Sequence, residues 1–516
     1  MWKRFTDKAA SAVTLALFTL IAYAEVYFFA SGGFFETNRL IYGYSLLAIL
    51  LLTMQSGLTL YFGVNLYLSL YHPEVKRNGT ITFIAEIATL AVGAMIPVLI
   101  YYARTIERAI LLVTLPYFLA GLAAAIFLLL IPFAKKKRIL AIIAVVVLVG
   151  TVCGFAAVSA NGREVAFAAD PVVLDNGDGF SVVWCTNVDS VGYLEYTYEG
   201  RKYTLYDAED GKYTTDRRVH TVRVPYEHLY GNTYTVSAAK VVKNASRNSK
   251  LGNFITSKGY KFAEKVSGDE LKMLSLTDWH EHDDKLYSAA AGQDYDLLLM
   301  MGDAINYVNE FDDILDHIVI PGGKLTAGVK PALFVRGNHE VRGKYAKEIK
   351  SVLGMDQYYF TTTYGEINFL VFDGGDTKPD GEASQGAMNV CDPYREAELT
   401  EMESLPVNAT GYNVCLCHIP LFSREIFDGD PRSVKADAQF DRFSAILAHH
   451  DVKLLISGHE HILQYEEGDA YDTLIAGGPT EAGYVACMIT VKAGVATIVA
   501  YTTEKTVATY GPLALA

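Results

Sequence analysis

No two of the six cysteines, Cys153, Cys185, Cys391, Cys415, Cys417 and Cys487, form a C-x-x-C pair. A zinc ribbon is therefore not indicated. Cys415 and Cys417 stand two apart in an apolar run, on one face of a strand, and read as small buried hydrophobes rather than a disulfide. A basic excess is also missing. Lys and Arg number 44 against 58 Asp and Glu, for a net charge of −14, so no basic patch for a nucleic-acid backbone is expected. There is no internal repeat of the kind that secondary transporters carry.

What is present is unevenly spread. Residues 1–160 hold 12 Lys+Arg and 6 Asp+Glu, leaving 32 and 52 for the remainder. Five apolar runs, 9–30, 41–70, 80–103, 109–134 and 139–159, each reach the roughly 20 residues a helix needs to cross a bilayer. An all-α transmembrane region of about five helices is expected over 1–160. Lys3, Arg4, Lys8, Lys76, Arg77, Lys135, Lys136, Lys137 and Arg138 outnumber Arg39, Arg104 and Arg108 on the opposite side. That bias predicts a multi-pass membrane protein with a cytoplasmic N-terminus and an extracytoplasmic catalytic region. Ala22-Tyr23-Ala24 looks like a signal-peptidase site, but the apolar run continues past it, which favours an uncleaved first helix.

Between 161 and 266 the texture changes to short alternating segments, Phe180–Trp184, Gly192–Tyr198, Val219–Val224 and Thr233–Ala238, divided by turn clusters such as 175–179. Short strands at this spacing predict a β-sandwich of about 100 residues. His220 and His228 stand alone there and read as structural. Trp184-Cys185-Thr186, the segment Gly192–Tyr196, and His220–Val224 leading to Leu229 and Tyr234 resemble the fibronectin-III-like domain that precedes the catalytic domain of purple acid phosphatases.

From 267 to 516 apolar runs alternate with amphipathic segments, as in an α/β layered fold. Five runs end in polar signatures: Asp278-Trp279-His280, Gly302-Asp303, Gly337-Asn338-His339-Glu340, His418, and Gly458-His459-Glu460-His461. Ligands bind at the carboxyl ends of strands in such sheets. Imidazole, carboxylate and amide oxygen without thiolate suit a pair of borderline cations. Each signature alone is commonplace; together, in order and each after an apolar run, they define a site. His282, Asp283 and Asp284 read as residues of a helix start, and His449 and His450 as residues of a helix end. The stretches 374–392 and 423–437 read as loops shaping a pocket.

This ordered set resembles the calcineurin-like metallophosphoesterases over residues 268–502. The resemblance implies an α/β/β/α four-layer sandwich and two metal ions, drawn from Mn, Fe or Zn. It implies that Asp278, His280 and His461 take one metal, that Asn338, His418 and His459 take the other, and that Asp303 bridges both. It further implies hydrolysis of phosphate mono- or diesters by a metal-bridging hydroxide, with His339 catalytic and Asn338 and His339 meeting the phosphate. Arg336 is a further candidate for steering phosphate, or else a structural ion pair. Purple acid phosphatases carry a tyrosine where Asn306 stands and lack His280, so the resemblance favours the general Asp-x-His branch.

The expected molecule is thus multi-domain: transmembrane helices (1–160), a fibronectin-III-like sandwich (161–266) and a metallophosphoesterase domain (267–516). Its expected partners are a phosphate-ester substrate and membrane lipid, with no nucleic acid; the sequence leaves oligomeric state open. Two alternatives stand beside the ectoenzyme: a hydrolase of a lipid-linked phosphate or pyrophosphate, and a non-catalytic sensor or assembly module.

Overall fold

The structure, a computed structural model, describes residues 164–515 apart from 245–248, 384–386, 409 and 422–430. The five expected membrane helices fall outside these residues. Among the described residues no helix is long and apolar enough to cross a membrane. The all-α membrane layer of the expected fold class and the multi-pass placement are corrected accordingly: the molecule described is built mostly of strands.

Two sheets form the centre. The larger has ten strands, in the order Thr506–Ala514, Val495–Tyr501, Gly483–Lys492, Glu270–Leu276, Leu297–Met300, Pro331–Phe334, Val172–Asp175, Phe180–Cys185 and Val219–Val224, with Gly478–Thr480 beside Gly483–Lys492. The smaller has six, in the order Phe360–Tyr364, Ile367–Phe372, Tyr412–Cys417, Val452–Ser457, Asp472–Ala476 and Leu463–Glu466. Alternation along the smaller sheet assigns its two faces. Val414, Leu416, Leu454 and Ile456 join Met273, Leu299 and Leu333 in the core between the sheets. Cys415, Cys417 and Leu455 face the other way, against Leu399 and Met402 of the helix Cys391–Ser404 and Phe440, Phe443 and Leu447 of the helix Pro431–His449. A strand buried on both faces must be apolar throughout, which is why these runs are so continuous in sequence. Cys185, Cys391, Cys415, Cys417 and Cys487 are all free and buried.

The segment expected as a separate sandwich is differently built. One of its layers, the strands 190–198, 201–206, 233–243, 250–256 and 260–261, is a sheet of its own. The other layer is the end of the ten-stranded sheet: Val173 pairs in parallel with Pro331 and Leu174 with Ala332. Trp184, Phe180 and Val182 from that layer pack on Leu194, Tyr196 and Val236 from the first. The expected free-standing fibronectin-III-like domain is therefore corrected to a lobe sharing its sheet with the phosphoesterase half. Alternation in sequence reports a half-buried strand but not which strand lies beside it. Asp175 fastens the same joint, accepting hydrogen bonds from Tyr364 Oη and Thr362 Oγ1 at 2.8 Å and from Tyr226 Oη at 2.5 Å.

Candidate metal centre

The five signatures do not line one sheet edge. Three follow strands of the larger sheet and two follow strands of the smaller, so the site lies where the carboxyl ends of both meet. Backbone hydrogen bonds stitch the ends together: Asp278 N–H donates to Gly302 O at 3.0 Å, His280 N–H to Asp303 O at 3.0 Å, and Gly458 N–H to His418 O at 2.8 Å. The approach is too close for side chains at the turns. A Cβ on Gly337 would lie 2.2 Å from Asp303 Oδ1, and one on Gly458 would lie 2.0 Å from Thr277 Oγ1. Asp278, His280, Asp303, His459 and His461 all hold left-handed backbone, with φ from 43° to 74°. Such conformations cost non-glycine residues energy and collect at functional sites.

Three sets of side chains bring ligand atoms within 4.8 Å of one another: Asp278, His280 and His461; Asp303, His418 and His459; and His280, Asp303 and His339. His461 Nε2 lies 3.3 Å from Asp278 Oδ1, and His418 Nε2 lies 3.2 Å from Asp303 Oδ2. His280 Nε2 and His461 Nε2 face each other at 3.1 Å, while His280 Nδ1 is buried without a partner. His418 gives its Nδ1 proton to Met301 O at 2.6 Å, which turns Nε2 into the site. Asn338 completes the set. Its amide oxygen as placed meets His459 Nδ1 at 2.8 Å and Asp303 Oδ2 and His418 Nε2 at 3.3 Å each; a reversed amide would instead donate to all three and accept from Arg342 Nη2 at 2.8 Å. The first orientation suits a cation, and the second a cation-free site whose ring nitrogens and carboxylate offer lone pairs.

The electrostatics follow burial and these neighbours. Burial pulls His280 down to about 4, ahead of the opposing pull of Asp303. Burial and neighbouring His418 lower His459. Burial opposes charge on His418 too, but Asp303 and then Asp278 push it up to about 10. Burial raises Asp303, and His418, His339 and His280 more than reverse that, leaving it well below the carboxylate range. The hydrogen bond that His461 donates to Asp278 raises His461. Two carboxylates among five imidazoles are thus balanced by protons, and cations binding there displace those protons. The unpartnered His280 nitrogen, the facing imidazoles and a donor set of nitrogen and oxygen fit a dinuclear cation site.

His339 stands at the rim. Its Nδ1 donates to Asn306 O at 2.8 Å, and its Nε2 lies 3.9 Å from Asp303 Oδ2. Tyr307 is half-exposed with its ring 6.0 Å from that of His339. Arg336 turns away from the histidines: it pairs with Asp373 at 2.5 Å and lies over Tyr358, 4.1 Å from the ring centroid. Its structural reading is the one this geometry favours. Sequence reasoning assigned no role to three other residues. Glu340, fully buried, accepts hydrogen bonds from the backbone N–H groups of Asp303, Ala304, Ile305 and Gly337 at 2.7–3.1 Å. Burial and Asp303 push its carboxyl up to about 7, against the pull of those donors. Arg342 lies with Nη1 3.0 Å from His339 Nε2, and Asp376 holds that arginine at 3.1 Å. Glu340 and Arg342 flank the GNH signature in sequence, but nothing local marks their partners.

The remaining sequence candidates have other work. His282 occupies the N-cap position of the helix Asp283–Ala290, and Asp283 and Asp284 fill its first turn. His449 ends the helix Pro431–His449. The stretch 374–392 begins beside the site at Asp376 and enters the helix Cys391–Ser404, whereas 423–437 lies partly outside the described residues and is helical from Pro431.

Residues 271–463 match the calcineurin-like phosphoesterase family. The chain carries a calcineurin-like metallophosphoesterase domain, and the protein is a metal-dependent phosphoester hydrolase. Among solved structures it is similar to PhoD, at 13% identity over 67% of this chain and 88% of that one, with a TM-score of 0.39. It is similar also to GAP50, the anchor in the inner membrane complex of Plasmodium, at 15% identity over 48% and 90% with a TM-score of 0.31. A third similar structure is the phosphopantetheinyl hydrolase of Mycobacterium tuberculosis, at 15% identity over 42% and 91% with a TM-score of 0.27. No curated protein matches the chain.

Proposed function

We propose that the chain hydrolyses phosphate mono- or diesters at two cations, one held by Asp278, His280 and His461, the other by Asn338, His418 and His459, with Asp303 shared. The observation that carries this reading is the meeting of four lone-pair donors, Asp303 Oδ2, Asn338 Oδ1, His418 Nε2 and His459 Nδ1, around one point. Borderline cations such as Mn, Fe or Zn match that mixed set. Such a pair, when bound, supplies Lewis acidity that acidifies water and neutralises charge on the phosphoryl oxygens. The chain's own part is geometric. Glu340 fixes the turn that presents Asp303, and the Asp303 carboxylate in turn accepts the His339 N–H at 2.9 Å. With Nδ1 committed to Asn306 O, His339 Nε2, which accepts from Arg342 Nη1 at 3.0 Å, is the ring nitrogen turned toward the site. The sensor reading requires missing ligands, and every signature position is filled.

The test is turnover by the full chain, stripped of metal and reloaded with Mn, Zn or Fe, on p-nitrophenyl phosphate and bis-p-nitrophenyl phosphate. Metal-dependent release of nitrophenol that disappears in Asp303→Ala supports the reading, and the ratio of the two rates assigns monoester or diester preference. A protein that binds two ions and turns over neither ester with any of them overturns it.

A further inference from the structure

Large apolar side chains stand in water at the border of the candidate metal centre. Tyr307 is 40% exposed and Ile462 is 41% exposed. Ile462 directly follows His461, and the Tyr307 ring lies 6.0 Å from that of His339. The imidazoles between them form an arc: the His280 ring is 4.8 Å from that of His339 and 5.0 Å from that of His461. Tyr307 and Ile462 therefore mark two ends of one rim. A third stretch joins it through polar contacts. Asn389 donates to Asp376 at 2.8 Å, Asp376 accepts from Arg342 at 3.1 Å, and Arg342 lies 3.0 Å from His339. On either side of Asn389 stand Met388, 79% exposed, and Val390, 64% exposed.

The two ends of the rim have fixed backbone. Val308 N–H donates to Arg342 O at 2.9 Å, Asn309 N–H to Tyr307 O at 2.9 Å, and Gly477 N–H to Ile462 O at 3.1 Å. The fold thus holds these side chains where water wets them and forgoes the energy of burying them. Hydrophobes scattered singly over a surface need no explanation, but a group of them bordering one site does. Charge narrows the ligand further. Glu460 is exposed between His459 and His461, and Glu281 follows His280, its Oε1 accepting from Asn306 N–H at 3.3 Å. Residues 161–516 carry 52 acids against 32 bases. Such surroundings repel a polyanion, whereas one phosphate group fits the ligand set already described. Three of the four apolar side chains are aliphatic, and methionine adapts to irregular shapes, which suits a flexible chain better than a rigid ring.

We propose that the rim formed by Tyr307, Ile462 and the stretch 388–390 is a subsite for an alkyl chain, so that the substrate is an ester of one phosphate group with an aliphatic body. The inference rests on the phosphoesterase reading above and names its substrate class. Binding energy gathered away from the phosphorus orients the ester, and it grows with each methylene that leaves water.

The experiment measures kcat/KM of the metal-loaded full chain on methyl, butyl and octyl phosphate, on phenyl phosphate, and on the matching alkyl 4-nitrophenyl diesters, all as monomers in solution. Calorimetry gives the affinities of methylphosphonate and octylphosphonate, which have no ester bond to cleave. In whichever ester class is turned over, kcat/KM should rise about two- to threefold per methylene, and octylphosphonate should bind more tightly than methylphosphonate by a similar factor per methylene. Tyr307→Ser, Ile462→Ser and Met388→Ser should each flatten that dependence, while Phe254→Ser, on the first lobe and 43% exposed, should retain it. Rates and affinities independent of chain length, a preference for phenyl over octyl phosphate, or a dependence lost equally in Phe254→Ser overturns the inference and leaves the phosphoesterase reading standing. A loaded wild type that turns over no ester sinks that reading instead. The phosphonates need no turnover and still decide the rim: tighter octylphosphonate binding that Tyr307→Ser and Ile462→Ser remove supports the alkyl subsite, and equal affinities overturn it. If one rim variant does not fold, the wild-type series and the other two carry the comparison.

Discussion

His220 and His280 both stand beside carboxylates in one chain, and their surroundings are opposite in kind. His220 Nδ1 meets Asp207 Oδ2 at 2.8 Å and its Nε2 meets Ser190 Oγ at 2.7 Å. Ser190 Oγ continues to Thr186 Oγ1 at 2.7 Å, which donates to Val188 O at 2.8 Å. Every polar atom on that path has a partner, and His220, Ser190 and Thr186 are fully buried. None of its members has left-handed backbone. The series serine, histidine, aspartate has the residue types of a nucleophilic triad, but no substrate reaches Ser190. Around His280 the reverse holds: an orphaned Nδ1, a facing imidazole at 3.1 Å and left-handed backbone at His280 and four neighbours in the site. Residue type does not separate a structural histidine from a ligand; unmet valence and stored strain do.

The contrast can be broken most forcefully at His280. His280→Gly should lower turnover on the order of 10³-fold, as expected when a group stabilising transition-state charge is lost. Glycine accepts a φ of 43° freely, so the metal-free protein should melt no lower than wild type and up to about 1 kcal/mol more stable. A metal-free His280→Gly protein that is destabilised like a core variant refutes the contrast. His220→Ala should do the opposite. It strands buried Ser190 and Asp207 and opens space beside Trp184, whose ring lies 5.3 Å from that of His220, at a cost of about 2–4 kcal/mol. Denaturant titration measures that loss, and two bound metals with unchanged kcat below the transition show that it stays local. The smallest effect belongs to Arg218, partly exposed and shared between Asp312 at 3.0 Å and Asp316 at 3.2 Å across the joint of the two halves. Arg218→Ala should cost about 1 kcal/mol or less and lose that difference in high salt; a larger, salt-independent loss would make the joint depend on this one arginine.

Much of the candidate metal centre was legible as a sequence pattern because its residues are close neighbours along the chain. Asp278-x-His280 and His459-x-His461 are neighbours in sequence, and the apolar run before each marks a buried strand. The strands Glu270–Leu276, Leu297–Met300, Pro331–Phe334, Tyr412–Cys417 and Val452–Ser457 lie where those runs lie. What stayed hidden depends on distant partners. Glu340 looked like one more acid beside the site, yet it caps a turn 35–37 residues away. Arg336 and Arg342 are interchangeable on composition; Asp373 and Asp376, from the loop after the strand Ile367–Phe372, tell them apart. The same holds for the first lobe, where alternation foretold strands at 180–184 and 219–224 but not their continuity with Pro331–Phe334. The apolar segments of 1–160, which suggested membrane helices, belong to a part of the chain outside the described residues.

The parallel pairing of Val173 with Pro331 and Leu174 with Ala332 also has a meaning in time. A ribosome releases Val172–Asp175 long before it has made Pro331–Phe334, so the first lobe leaves the exit tunnel with one sheet edge waiting. Antiparallel neighbours Phe180–Cys185 and Val219–Val224 can join early, but the flank beside Val173 closes only when the central strands arrive. Such long-range parallel closure is slow and leaves an edge open to wrong partners meanwhile. Until Pro331–Phe334 arrive, the Val173 flank of the nascent first lobe is therefore an open sheet edge, the kind of surface on which chaperones act.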